Sequence, residues 1–242
     1  MRRYYYDLHI HSCLSPCADN DSTPNNIAGM ASLCGLDIVA LTDHNTCKNC
    51  PAFFEACRKH SIIAVAGMEL TTAEDIHVVC LFENLEDAMN FDLYVEGRRM
   101  KIKNREEIFG EQLILDGNDA VIGKDEYLLS AATDISLEEL PSIVQNYGGI
   151  CYPAHIDRDA NGIINILGAI PETPKFSFYE LRDRDNAEVY SERYSILRER
   201  FIIDSDSHAL ETMRDKENYF TLPECSSDSE ARAQLFNYLR RI

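Results

Sequence analysis

Seven histidines are spread along the 242-residue chain, and six of them close or adjoin short β-branched runs. His9 and His11 stand two apart in Asp7-Leu8-His9-Ile10-His11-Ser12. In an extended segment residues i and i+2 project from one face, so both imidazoles can reach one ion. His44 follows Leu41-Thr42-Asp43, Glu69 follows Gly67-Met68 with His77 close behind, and His155 follows Pro153-Ala154. Asp206 and His208 repeat the i, i+2 spacing in Asp204-Ser205-Asp206-Ser207-His208. Imidazole nitrogen mixed with carboxylate oxygen suits zinc, manganese or iron better than calcium or magnesium. These candidates are too many for one ion and imply a cluster of two or three, held together by a bridging carboxylate. Taken singly, each histidine also reads as a core or surface residue, and Asp-Ser-Asp as a helix cap; the joint pattern carries the metal reading. His60, between Lys59 and Ser61 at a predicted helix end, reads instead as a partner of the helix dipole.

The elements that must position these groups alternate. Tyr4–Ile10 reads as a strand, Thr23-Pro24 as a cap opening helix Asn25–Cys34, and Gly35 as its stop. Strand Asp37–Leu41, helix Pro51–Lys59, strand Ile62–Ala66, strand His77–Phe82 and helix Leu85–Met100 follow. Residues 104–134 break the rhythm. Gln112–Leu115 and Ala120–Ile122 flank Asp116-Gly117-Asn118-Asp119 as a hairpin, read as an insertion in a single domain over 1–242. Helix Leu137–Tyr147, strand Ile150–Tyr152, strand Phe178–Leu181, helix Ala187–Leu197, strand Phe201–Ile203 and helix Ser229–Arg240 complete the chain. Such alternation predicts an α/β fold with a parallel sheet or barrel, whose strand C-termini share one face.

Lys plus Arg number 23 against 41 Asp plus Glu, a formal charge of −18. A chain this acidic repels nucleic acid and anionic membrane unless bound cations or a local patch reverse the field. The densest basic stretch, Arg98-Arg99-Met100-Lys101-Ile102-Lys103, reads as a solvated helix end, with nucleic-acid contact the lesser alternative. The longest apolar run, Ile62 to Met68, is far below the roughly 20 residues of a membrane span. The N-terminus carries no stretch of signal-peptide type, and the nine cysteines are an odd count. A reducing, cytoplasmic setting is expected. Cys13, Cys17, Cys47 and Cys50 follow the first two strands and read either as an extra zinc or disulfide site or as free thiols. Cys34, Cys57, Cys80 and Cys151 read as core.

The ordered set Asp7-Leu8-His9-Ile10-His11-Ser12, Thr42-Asp43-His44, Gly67-Met68-Glu69, Ile76-His77, Pro153-Ala154-His155 and Ser205-Asp206-Ser207-His208 resembles the polymerase and histidinol phosphatase (PHP) family. Each motif is short, but six in this order are specific, and they span residues 4 to 210. The resemblance implies a distorted (β/α)7 TIM-like barrel, two or three divalent ions and phosphoester hydrolysis. It implies that His9, His11, Glu69 and Asp206 hold one ion. Glu69 bridges to a second with His77 and His155, and His44 and His208 hold a third with an aspartate from the loop after the first strand. The family form of that loop has the aspartate directly after a serine. Here the loop is Ser15-Pro16-Cys17-Ala18-Asp19-Asn20-Asp21, in which Asp19 takes the place counted back from Thr23-Pro24 and Asp21 is the alternative.

This reading predicts a metal-dependent phosphoesterase acting on a small phosphorylated metabolite or a nucleotide. His208 would stabilise or protonate the leaving oxygen. Arg158, three residues after His155, is a candidate phosphate clamp; its bland reading is an ion pair with Asp157 or Asp159. Two alternatives stand beside it: hydrolysis of C–N or C–O bonds in the manner of amidohydrolases, and a metal-binding module without catalysis. Amidohydrolases usually carry a carboxylated lysine at a strand end, and no lysine lies in the predicted strands before Glu69.

Overall fold

The computed structural model describes residues 1–240. Strand β1 (Arg2–Asp7), β2 (Ile38–Leu41) and β3 (Ile63–Thr71) run parallel, with Ile38 to Leu41 in register with Ile63 to Ala66. Helices α1 (Pro24–Leu33) and α2 (Cys50–His60) make the two crossovers. Thr23 accepts the Asn26 N–H and Pro24 fills the first turn, as Thr23-Pro24 predicts. His60 ends the last turn of α2 beside Arg58 and Lys59, where its dipole role was expected.

β3 runs past its expected end at Ala66, so Glu69 lies inside the strand. β4 (His77–Phe82) then turns back antiparallel, Thr71 opposite His77 and Ala66 opposite Phe82. The link Thr72–Ile76 is far shorter than the dozen or so residues a parallel crossover needs, which corrects the all-parallel expectation. The reversal matters for the site. His77 begins β4, and so stands at the same end of the sheet as residues that follow the parallel strands.

Helix α3 (Leu85–Glu96) stops at Gly97, short of Met100. Helix α4 (Glu106–Phe109) leads into the expected hairpin, β5 (Leu113–Leu115) with β6 (Val121–Lys124), bulged between Ile114 and Leu115. Helix α5 (Leu140–Asn146) starts three residues later than expected because Pro141 is tolerated only in its first turn. β7 (Ile150–Pro153) pairs antiparallel with β4 and so runs with β3 again. Helix α6 (Ile163–Leu167) was not anticipated from the sequence. β8 (Tyr179–Leu181) and β9 (Phe201–Ile203) form a parallel pair of their own, with α7 (Ala187–Tyr194) between them. β10 (Tyr219–Leu222), also unmarked in the sequence, pairs antiparallel with β1, and α8 (Asp228–Leu239) ends the described elements.

The main sheet therefore has six strands in the order β10-β1-β2-β3-β4-β7, curled into a half-barrel. The separate β8–β9 pair shares the inner core with it, but the backbone pairing between them is isolated among the described residues. Ile156 beyond β7 donates to the Glu180 carbonyl, and Ile10 beyond β1 bridges Ser207 beyond β9. β2, β3 and β4 are buried on both faces, as strands covered on two sides must be. Ile38, Ala40, Val65, Val79 and Leu81 fill the inside of the curl with Tyr152 and, from α8, Leu235 and Phe236. Val39, Leu41, Ala64, Ala66 and Met68 alternate outward against Phe53 of α2 and Phe91 of α3. No described helix is long and apolar enough to cross a membrane.

Candidate metal centre

Glu69 is buried at the middle of the strand ends, with five imidazoles around its carboxylate. His77 Nδ1 lies 2.8 Å and His155 Nε2 3.0 Å from Oε1, with His9 Nε2 at 3.3 Å. His44 Nδ1 lies 3.0 Å and His11 Nε2 3.4 Å from Oε2. Asp206 Oδ1 stands 3.5 Å from both His9 Nε2 and His11 Nε2. Three overlapping groups bring one donor atom per residue within 4.8 Å of the others: His9, His11, Glu69 and Asp206; His44, Glu69 and His77; and His11, His44 and His208. Each pair of groups shares one residue. His155 lies outside the three but touches Glu69, which two of them share.

Neighbouring groups set the tautomers. Glu180 of β8 accepts the His9 Nδ1–H at 2.8 Å. Ser15 Oγ donates to Asp43 Oδ1 at 2.7 Å, so it accepts from His11 Nδ1–H at 2.9 Å. Both assignments leave the Nε2 lone pairs of His9 and His11 facing each other 3.1 Å apart. Two acceptors at that distance repel unless a positive charge, a proton or a metal ion, stands by them. Glu69 Oε2 and His44 Nδ1, though 3.0 Å apart, and Asp206 Oδ1 and His155 Nδ1 are buried and make no well-aligned hydrogen bond among the described residues. Buried polar atoms are otherwise nearly always satisfied. The donor set, the facing lone pairs and the unpartnered atoms fit a centre of divalent ions of the zinc, manganese or iron type.

Charge follows the same geometry. Burial works against the Glu69 carboxylate, but His77, His9 and His44 outweigh it and hold the group well below the usual range. Asp206 is likewise held low, its burial outweighed mainly by His9 and His11. Burial also pulls His9 down, yet Glu180, Glu69 and Asp206 raise it well above the ordinary imidazole value. His208 behaves oppositely. Burial, with His11 beside it, pushes it down to about 3. Its Nδ1–H donates to the Asp206 carbonyl at 2.9 Å, leaving Nε2 as an acceptor. A neutral imidazole with a free lone pair is in the form that a metal ligand needs. His155 and Asp206 hold positive φ, 28° and 51°, in a region that side chains other than glycine's rarely adopt.

Arg158 takes neither expected ion-pair partner. Its Nη1 donates to Asp206 Oδ2 at 2.8 Å, while Asp157 accepts the backbone N–H groups of Arg182 and Asp183. The guanidinium, partly exposed, lines a cavity of about 520 Å³ with Cys17, His44, Glu69, His77, Ser130 and His208. Ser130 comes from the insertion. Its hairpin is pinned over the first loop, Leu113 N–H donating to the Cys13 carbonyl and Asp119 accepting from Thr23 and Asn25. Asp19 and Asp21 are exposed and belong to none of the three groups. The nine cysteines are free thiols. Cys47 and Cys50 are buried against the Gly67 carbonyl, Cys17 lies beside His44, and none of these nor Cys13 enters one of the three groups among the described residues. Glu180, Ser15 and Asp43 escaped the sequence reading. For Glu180 a signal existed: a lone acid inside the apolar run Phe178-Tyr179-Glu180-Leu181.

A family model described as PHP domain matches residues 7–195. A comparison with curated proteins gives no match. Among solved structures, the lesion-specific endonuclease PfuEndoQ from Pyrococcus furiosus is similar with a TM-score of 0.64 and 19% identity, over 96% of this chain and 56% of that one. The chain thus spans little more than half the length of that protein. A protein from Bifidobacterium adolescentis assigned as a metal-dependent phosphoesterase gives 0.55 and 17%, covering 96% of both chains. An amidohydrolase from Chromobacterium violaceum gives 0.60 and 18%, covering 94% of this chain and 96% of that one. At these identities the likenesses speak for the fold. With the family model spanning most of its length and the six motifs meeting in one place, the chain belongs to the PHP domain family.

Proposed function

We propose that the chain is a metal-dependent phosphoesterase of the cytoplasm, hydrolysing a phosphomonoester or nucleotide-type substrate. We read β1, β2, β3, β4, β7, β8 and β9 as the strands of a distorted (β/α)7 barrel, its single contacts standing in for complete ladders. His9, His11, Glu69 and Asp206 would hold one ion, Glu69 with His77 and His155 a second, and His44 and His208 a third. When bound, such ions act as Lewis acids on phosphoryl oxygens and make the attacking water more acidic.

The observation that carries the phosphoester reading is the placement of Arg158. It is anchored to Asp206 by one nitrogen and open to the cavity otherwise. A guanidinium so held presents its remaining N–H groups in a fork that matches phosphate oxygens. It is also a positive group in the wall of a site that holds the Glu69 and Asp206 carboxylates, in a chain of charge −18. Glu180 and Ser15 hold the His9 and His11 rings through Nδ1, which would leave both Nε2 atoms for the ion. The neutral His208 offers an acceptor at the cavity rim. A nucleic-acid phosphodiester is the runner-up, favoured by the fold likeness to the lesion-specific endonuclease and opposed by the negative charge.

The test is metal removal with a chelator, then assay against phosphomonoesters, nucleotides, DNA and amides with zinc, manganese or iron restored. Phosphate release that is lost and regained with metal supports the reading. Amide cleavage alone would move the assignment to an amidohydrolase-like enzyme. Tight metal binding with no turnover on any class would leave a non-catalytic module.

A further inference from the structure

We propose that Cys17, and no aspartate of the first loop, joins His44 and His208 in the third ligand set, making it a thiolate–imidazole site that selects zinc-type ions over manganese. The inference rests on the metal-centre reading above and deepens it.

The backbone decides which side chain of the loop faces the imidazoles. Ser15 N–H returns to the Ser12 carbonyl and Ala18 N–H to the Ser15 carbonyl, so Pro16 and Cys17 form the tip of a tight turn. Gly110 of the insertion packs on the Pro16 carbonyl so closely that a Cβ there would stand 2.6 Å from the oxygen. Asp19 N–H is tied to the His208 carbonyl, and its side chain is exposed. Cys17 thereby lies over His44, its Sγ 3.2 Å from His44 Nε2, and it lines the same cavity as His44 and His208. His44 itself is only 4% exposed, and its other ring nitrogen, Nδ1, faces Glu69 Oε2 at 3.0 Å, which leaves Nε2 for the Cys17 side. The rings of His11 and His208 stack at 4.1 Å, and His44 stands 4.5 Å from His11.

Two imidazoles with one sulfur make a mixed nitrogen–sulfur donor set of the kind that zinc takes, with a fourth position left open. Soft thiolate favours zinc, and manganese prefers oxygen. Binding would cost the thiol its proton, released to solvent, with a sulfur–metal bond formed in its place. Among the nine cysteines, Cys17 is the one classed as exposed in the metal-free chain, so its fate can be read chemically.

The test adds cobalt(II) stepwise to the metal-free full chain and to the Cys17→Ser and Cys17→Asp variants. Visible d–d absorption reports binding of any kind, and a near-ultraviolet sulfur-to-cobalt charge-transfer band reports thiolate ligation. The native chain should show both. Cys17→Ser should lose the charge-transfer band and bind its weakest equivalent at least about tenfold less tightly. Cys17→Asp should lose the band but keep the stoichiometry. In parallel, zinc should slow iodoacetamide alkylation of Cys17, mapped by peptide, at least about tenfold, with alkylation of Cys225 unchanged. Cobalt bound with d–d bands but no charge-transfer band overturns the thiolate ligand and leaves the metal centre standing. No cobalt binding at all sinks both readings.

Discussion

Replacing Glu180 by Gln should weaken binding of the first ion by about 10- to 100-fold while leaving the metal-free fold intact. Glu180 touches no expected metal position. It acts through His9, whose Nδ1 lies 2.8 and 3.0 Å from the two carboxylate oxygens, with both side chains fully buried. A buried hydrogen bond to a charged group contributes about 1.5–3 kcal/mol, and each 1.4 kcal/mol is about a factor of ten in affinity. The range agrees with the usual effect of losing an outer partner of a metal-binding histidine. Gln keeps an oxygen for the Nδ1–H, so tautomer and ring orientation survive and the charge is what disappears. The pH dependence has a definite sign. Glu180 helps raise His9 in the metal-free protein, so it also strengthens the proton that competes with metal. Below the folded His9 value, losing Glu180 weakens proton and metal together, and the deficit is small. Above that value only the metal term remains, and the deficit reaches its full size. Metal-free stability carries two opposed effects, the first being loss of the buried His9–Glu180 pair. Burial, and then the charges of Glu180 and Asp7, hold Asp204 well above the usual carboxylate range. Removing the Glu180 charge relieves that repulsion. The assay is competition with a chromophoric chelator at neutral and mildly alkaline pH, beside urea melts of the metal-free proteins. A dissociation constant within about twofold of native at both pH values would refute the reasoning.

Three further outcomes are expected. Arg158→Ala should weaken inhibition by inorganic phosphate about tenfold or more, with Arg158→Lys between it and native because the charge remains and the fork is lost; equal inhibition constants in all three would remove Arg158 from the site. Asp125 joins Lys48 at 2.9 Å to the buried Arg99 at 3.1 Å, so Asp125→Asn should cost about 3 kcal/mol in urea melts at neutral pH. Burial raises the Asp125 carboxyl, but Lys48 and Arg99 lower it further, so the stabilisation exists above the unfolded value of about 4 and fades as pH falls through the folded one; a gap unchanged in acid would contradict the ion-pair origin. Phe236→Ala, at a fully buried position inside the curl, should lower stability by about 3–5 kcal/mol and leave metal stoichiometry alone, and a loss under about 1 kcal/mol would mean that α8 does not close that core.

Ligand chemistry was legible from residue types because it depends on local spacing. His9 and His11, or Asp206 and His208, share a face in any extended chain, and Thr23-Pro24 caps a helix in any context. The donor set, the strand–helix rhythm and the hairpin at 112–122 are properties of short segments, and the structure contains them. Sequence could not show that β4 reverses, because the pairing partner of a strand is a long-range choice, although the short link to it was a clue. Nor could it find β10, whose four residues gain a place only by covering the edge of β1. Glu180 and Asp43 became visible only when β8 and β2 were set beside β1, since a side chain that orients another is defined by distance and not by spacing. The same limit governs the first loop. Counting residues back from Thr23-Pro24 favoured Asp19, whereas the turn at Ser15, its packing against Gly110 and the tie to His208 turn Cys17 toward the imidazoles. The amino-acid order settled which atoms were available to hold ions, and the folded backbone settled which of them meet, because approach across 171 or 196 residues of chain is decided by packing and not by local preference.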